Sequence, residues 1–410
     1  MTGYRTLIGP KLAGLAAVAT LPLILAGCEL GPKESQQLGP RGPAMEQVTN
    51  LNLVKPPAAP PPSAYQLTSR EGQRARDIYP ELQALGDISV DEFGLLMANI
   101  TAWVVPANAP PEQAGCNYCH NPENMASYEK YTKTVALSML KMTQNINVNW
   151  QSHVKQTGVT CYTCHRGQGV PQYSWSLKPE PVQRGMTGYR AGQNEPLAVV
   201  GYSSLPNDPN GNFFLEAREI RVNSDTIHPT SANMSDTKNA EQTYGLMMRV
   251  SGALGVNCTF CHNSQNFGEW SHSRIQKQTA WYGIRMVRQM NSNYIQPLAT
   301  VFPVKGWDEQ ARLGPLGDPL KVNCQTCHQG YNKPLGGVSM LPDNPSLREI
   351  WRADGSVVPS GATPKPLAVA GASTTPGPVV AGAAVTTAAA EDAVVAKAEN
   401  LRQVALASTN

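Results

Sequence analysis

Four short stretches of the chain carry its chemistry: Cys116-Asn-Tyr-Cys119-His120, Cys161-Tyr-Thr-Cys164-His165, Cys258-Thr-Phe-Cys261-His262 and Cys324-Gln-Thr-Cys327-His328. On a helical turn, residues i, i+3 and i+4 share one face. Two thiols can then bond the two vinyl groups of one porphyrin while the imidazole points at its iron. This is the pattern of c-type haem attachment. Paired Cys-x-x-Cys also builds zinc knuckles and redox dithiols, but neither needs a histidine directly behind each pair. The chain has only seven histidines, and chance does not place four of them there. The expectation is four covalently bound haem c groups, with His120, His165, His262 and His328 as iron ligands.

An iron that transfers electrons needs a sixth ligand, methionine or histidine, and methionine raises the potential. A methionine-bearing segment precedes every motif: Met97 before the first, Met139 and Met142 before the second, Met247 and Met248 before the third, Met286 and Met290 before the fourth. Repetition is what separates these from core filling. His153, eight residues before Cys161, is a competing ligand, whereas His228 and His272 sit in polar loops and read as solvated.

The elements that must hold these groups are helices. Apolar periodicity of 3.6 residues appears over Val90–Val104, Tyr131–Asn147, Ala240–Leu254 and Lys277–Asn291. The segment from Gly167 to Lys238 is turn-forming, with short strands expected around Glu219–Val222. An internal repeat links the motifs. The first and third are followed by Asn121 and Asn263, the second and fourth by Gly167 and Gly330, two residues after the histidine. Lys141-Met142 through Trp150 also parallels Arg285-Met286 through Tyr294. The expected fold is mainly α: a multihaem c-type cytochrome of two pseudo-repeated dihaem halves, about 88–170 and 240–335, joined by 171–239, with long irregular connections and few short strands.

The flanks are of another kind. Arg5 and Lys11 precede an uncharged run that ends Leu25-Ala26-Gly27-Cys28. It is short for a membrane span and reads as a secretory signal over 1–27. Its last four residues resemble a bacterial lipoprotein box, which makes Cys28 the lipid attachment site and first mature residue; a plain signal peptide is the alternative. Residues 28–64 read as a lipid-anchored, Pro-rich extended linker and 65–352 as the folded tetrahaem domain. Residues 353–410 form a low-complexity Ala/Pro/Thr tail, with a short helix near Glu391–Leu406 as its one candidate element. The nine cysteines thus divide into eight thioethers and one anchor, leaving none for disulfides.

Together these features resemble the tetrahaem cytochrome subunit of the photosynthetic reaction centre of purple bacteria. The likeness runs from about Tyr65 to Pro342 and is carried by phrases such as Gly158-Val-Thr-Cys161-Tyr-Thr-Cys164-His165-Arg166-Gly167 and Ala280-Trp-Tyr-Gly-Ile-Arg285-Met286-Val-Arg288. The resemblance implies Met97, Met139 and Met247 as sixth ligands of haems one to three, and His153 as that of the fourth, whose proximal ligand is His328. Within the internal repeat it is Met142, not Met139, that matches Met286, so both stay candidates at haem two. The resemblance also implies that Arg285 lies beside a haem, where its charge disfavours the oxidised state and raises the potential.

The implied function is electron transfer rather than catalysis. A soluble cytochrome c or high-potential iron–sulfur protein in the periplasm would reduce one haem, and the chain would re-reduce the photo-oxidised bacteriochlorophyll pair of the membrane-embedded reaction-centre core. The rivals are a periplasmic multihaem reductase, which needs one iron with an open position, and a respiratory membrane-anchored conduit. A formal charge of +3, with no basic cluster, excludes a nucleic-acid binder. Loss of Arg5 and Lys11 with the leader reduces that charge by two. Eight haem propionates then bring the reduced, fully ionised holoprotein to about −7, which would steer positively charged donors.

Overall fold

The structure, a computed structural model, describes residues 31–39, 42–179, 190–220, 222, 237–351 and 357–358. Residues 1–30, and with them the expected leader and Cys28, lie outside the described residues, as do His228 and the candidate helix at 391–406. Two compact units divide the chain, Met1–Pro56 and Pro57–Asn410.

In the first unit, β1 (Lys33–Gln37) pairs antiparallel with β2 (Glu46–Asn50), from Lys33 opposite Asn50 to Gln37 opposite Glu46. The segment was expected to be an extended spacer. Neither strand contains proline, so every amide is free for the ladder; the prolines cluster later, at 56–62. Met45 in the connecting turn is buried.

The second unit is helical. Its long helices are α1 (Val90–Val104), α2 (Tyr131–Asn149), α4 (Thr237–Leu254) and α5 (Ile275–Gln289), within a few residues of the periodic segments in the sequence. Two short helices, α3 (Cys161–His165) and α6 (Cys324–His328), carry the second and fourth motifs. The Ser89 hydroxyl caps α1 by accepting from the Glu92 amide at 3.1 Å, and acidic Asp91 and Glu92 sit at the positive end of the helix. The last turn of α5 widens into a π-type turn over Met290–Ile295, and Pro297 follows in a 3-10 turn. Strand content is confined to β1–β2 and a second pair, β3 (Ile350–Trp351) with β4 (Val357–Val358), among the described residues. Around Glu219–Val222, where strands were expected, the described residues are irregular.

Two apolar clusters hold the second unit, and α2 serves both. Leu140 joins Leu96, Trp103 and Leu341 in one, while Met142 and Ile146 join Phe213, Phe214 and Ile284 in the other. The long connection therefore does more than span a gap: Phe213 and Phe214 are fully buried from a five-residue helix, Asn210–Phe214. Asn291 holds them in place by donating to the Phe214 carbonyl at 3.2 Å and to that of Val322 at 2.9 Å. Trp175 is tied to the segment before the fourth motif through reciprocal backbone bonds with Lys321 of 2.9 and 2.7 Å. Fully buried Lys321 is paired with Asp318.

Candidate functional site

The four motifs take two geometries. The first and third form 3-10 turns, over Gly115–Tyr118 and Cys258–Phe260, each closed by the histidine amide on the carbonyl of the first cysteine (His120 to Cys116, 2.9 Å; His262 to Cys258, 3.0 Å). The second and fourth are α-helical. There a threonine inside the motif closes the entry turn, Thr163 Oγ1 accepting from the Thr160 amide and Thr326 Oγ1 from the Asn323 amide, both at 3.0 Å. Both α-helical motifs leave through a left-handed residue, Arg166 or Gln329, followed by a left-handed glycine, Gly167 or Gly330. Glycine at the second position spares the steric cost of a Cβ there. The two-residue glycine offset in the sequence is thus an exit signal for the α-helical motifs.

Every motif histidine is oriented by the main chain. Nδ1 of His165 lies 2.8 Å from the Gln168 carbonyl, and Nδ1 of His328 lies 2.8 Å from that of Tyr331. After the 3-10 motifs the partner lies further on: Met125 for His120 at 2.8 Å and Phe267 for His262 at 3.0 Å. A carbonyl only accepts, so Nδ1 carries the proton and the Nε2 lone pair remains to bind a metal. Burial pulls His165 and His262 below the ordinary imidazole value. Burial, helped by the neighbouring His153, brings His328 down to about 4. At His165, His262 and His328 burial therefore favours the neutral ring, the form that ligates.

His153 is brought to His328 from the far end of α2. Gln289 Oε1 on α5 accepts from Asn145 at 2.8 Å and from the Trp150 indole at 2.7 Å, zipping α2 to α5. The short helix Gln151–Val154 that follows lies against α5, where His153 Nδ1 bonds the Thr279 carbonyl at 2.8 Å. The His153 and His328 rings then meet edge to face, with centroids 6.1 Å apart and planes at 66°. With metal–imidazole bonds of about 2.0 Å, two rings on opposite sides of one ion stand about 6 Å apart, so the spacing suits a single shared ion.

The second motif borders an apolar cavity with about 1270 Å³ of empty space, part of it open to solvent. Cys161, Cys164, His165, Met139 and Met142 all reach it. These walls fit a porphyrin bonded through two thiols and an imidazole. Met142 is 8% exposed and belongs to the core cluster, whereas Met139 packs at that cluster's edge. Met97 is half-buried beside the cluster of Trp103 and Leu140, and Met247 beside that of Leu246 and Ile284. His272 is exposed, and the Arg285 guanidinium stacks 3.7 Å over the Trp281 ring. Among the described residues, no three His, Cys, Asp or Glu side chains converge to hold an ion unaided.

The cysteines bring one correction. Cys164 and Cys327, the second cysteines of motifs two and four, are joined by a disulfide with their Cα atoms 4.6 Å apart, where none was expected. The cause is the direct packing of α3 on α6; each thiol serves either this bond or a thioether. Burial pushes the Cys161 and Cys324 thiols up to about 12 and those of Cys119 and Cys261 to about 11, so they are neutral rather than thiolate ligands.

Arg312 was missed by the sequence reading. It lines the cavity, is 5% exposed and bonds Asp308 at 2.9 Å; burial works against its charge, but Asp308 and Tyr131 hold its pKa above the usual arginine value. A lone arginine in a turn-rich segment carries no signal that marks it.

A family model described as the photosynthetic reaction centre cytochrome C subunit matches residues 29–348. The photosynthetic reaction center cytochrome c subunit of Rubrivivax gelatinosus (strain NBRC 100245 / IL144) is 44% identical over 341 residues, 82% of this chain and 90% of the relative. That of Thermochromatium tepidum is 43% identical over 335 residues, 81% of this chain and 79% of its own. That of Roseobacter denitrificans (strain ATCC 33942 / OCh 114) is 36% identical over 363 residues, covering 84% and 93%.

Proposed function

Since the chain belongs to the family of photosynthetic reaction centre cytochrome c subunits, we propose that it holds four haem c groups and passes electrons from soluble periplasmic carriers to the photo-oxidised bacteriochlorophyll pair. The family makes it an electron carrier of photosynthesis; the haem count, the donors and the acceptor are our reading. The observation that carries it is the His153–His328 pair, two imidazoles at the spacing of one shared iron, with both Nδ1 atoms on main-chain carbonyls.

Bound haem supplies a one-electron couple, and the chain's own residues set its conditions. Cys116 and Cys119, Cys161 and Cys164, Cys258 and Cys261, and Cys324 and Cys327 would hold the four groups as thioethers, and in the loaded protein the thioethers of Cys164 and Cys327 would take the place of their disulfide. His120, His165, His262 and His328 present Nε2 to the irons. Met97, Met139, Met247 and His153 fill the sixth positions, which raises the potentials of three sites above that of the fourth. Met139 is preferred over Met142 because Met142 is spent on the core while Met139 stands at its edge. Arg285 and Arg312 place positive charge where oxidation would add more. The paired backbone closures of α1 with motif two and of α4 with motif four support a duplicated dihaem unit.

We further propose export by the leader 1–27, acylation of Cys28, a linker over 28–64 and residence on the periplasmic face of the photosynthetic membrane beside the reaction-centre core. No helix among the described residues is long and apolar enough to cross a membrane. Flash excitation of native membranes tests the assignment. Haem absorbance should bleach within microseconds to milliseconds of the flash, and membranes in which these haems stay reduced would overturn it.

A further inference from the structure

We infer that Gly283 is the positioning residue for the fourth haem's sixth ligand: its missing side chain is the berth of the His153 imidazole on α5. The inference rests on the reading that His153 and His328 ligate one iron. A Cβ built on Gly283 would stand 2.5 Å from Cε1, 2.8 Å from Nδ1 and 3.1 Å from Nε2 of His153. All three nearest atoms belong to the one ring, and the first two distances are shorter than real Cβ contacts. One turn earlier on the same helix, the Thr279 carbonyl takes the ring's Nδ1 at 2.8 Å. The hydrogen bond sets how the ring turns, and the glycine sets how close it lies, so the two constraints together aim Nε2.

No other property of the position calls for glycine. It lies inside a 15-residue helix and has no positive φ, and glycine there costs about 0.5–1 kcal/mol relative to alanine. Gly252, inside α4, has nothing within 4 Å of a Cβ. Gly245 is closed by the Pro206 backbone and Gly94 by the Tyr65 hydroxyl. Among the described glycines of the long helices, Gly283 alone borders a candidate ligand.

The test uses the assembled reaction-centre complex carrying Gly283→Ala, with Gly252→Ala and His153→Ala for comparison, read by electron paramagnetic resonance and carbon monoxide binding. Gly283→Ala should lose one low-spin haem signal in four and gain one carbon monoxide site per chain, leaving the other three unchanged. Four unchanged low-spin signals in Gly283→Ala would overturn the inference, as would the same loss in Gly252→Ala. If His153→Ala also leaves all four unchanged, the ligand reading fails and the inference with it; if only His153→Ala loses a signal, the inference alone fails. Should Gly283→Ala not assemble, His153→Gly and His153→Gly/Gly283→Ala are titrated with imidazole. The alanine should weaken imidazole binding at least tenfold, and equal affinities would overturn the inference.

Discussion

The amide of Gly330 donates to the carbonyl of Ala253 at 2.8 Å, so the exit of the fourth motif is clipped to the end of the helix that precedes the third. Gly167 does the same for the second motif, donating to the Trp103 carbonyl at 2.8 Å near the end of α1. In both cases the helix before one attachment motif is closed by the motif after it. Gly255 shares the later junction: its φ is +64°, and a Cβ on it would collide with the Gly330 carbonyl.

Gly255→Ala should therefore destabilise the chain by about 1–3 kcal/mol from backbone strain alone, with more from the collision. Denaturant unfolding of the purified holoprotein gives the size. Pyridine haemochrome quantification should show incomplete loading, concentrated at the fourth motif.

Lys321 and Asp318 form a buried ion pair beside that motif, with the Lys321 Nζ also on the Pro319 carbonyl at 3.0 Å. Lys321→Met leaves the Asp318 carboxylate buried without its cation and should cost about 3–5 kcal/mol. Lys321→Met/Asp318→Asn keeps an acceptor for the Leu177 amide, which bonds Asp318 at 2.9 Å, and should recover most of that loss in the same unfolding measurement.

His153→Met replaces one imidazole of the His153–His328 pair by a thioether. The potential of one haem should rise while the other three hold, and a redox titration resolved by α-band wavelength reads the shift. An unchanged set of four potentials would remove His153 from the ligands.

At the second haem, Met139→His should lower one potential, and Met142→Leu should leave all four in place and reduce stability by under about 1.5 kcal/mol, the usual cost of a volume-conserving core exchange. The reverse pattern would assign the iron to Met142.

The haem-free polypeptide should be acid-sensitive in a defined window. Burial brings His328 down to about 4 and lowers His153 as well, while an unfolded histidine titrates near 6.5. Between those values the unfolded chain binds more protons, so folded stability falls as pH falls from about 6.5 to about 4, by on the order of 3 kcal/mol for His328 alone. Above about 6.5 the contribution is flat. Unfolding of the haem-free chain at pH 5 and pH 7 measures it.

What could be read before the structure was what is local. Cys-x-x-Cys-His is a spacing within one turn, and the four long helices announce themselves by period, so both were legible to within a few residues. What escaped depends on distant partners. Glu219 and Ile220, where a strand was expected, are irregular. The polar Lys33–Asn50 stretch forms strands instead, because its two proline-free arms fold back on each other. Phe213 and Phe214 sit in a turn-rich segment whose composition hides that they are core. The proximity of Cys164 to Cys327 arises from the packing of two short helices 163 residues apart in the chain, and no local pattern encodes it.

The five imidazoles assigned to iron all rest their outer nitrogen on a peptide carbonyl: Met125, Gln168, Phe267, Tyr331 and Thr279. A peptide carbonyl survives any substitution of the residue that bears it. The orientation of each ligand is thus insulated from sequence drift in its surroundings, and no single codon change at those five positions deletes an anchor atom. Lineages can recolour the haem pockets, and so retune the potentials, without having to reinvent how the irons are held.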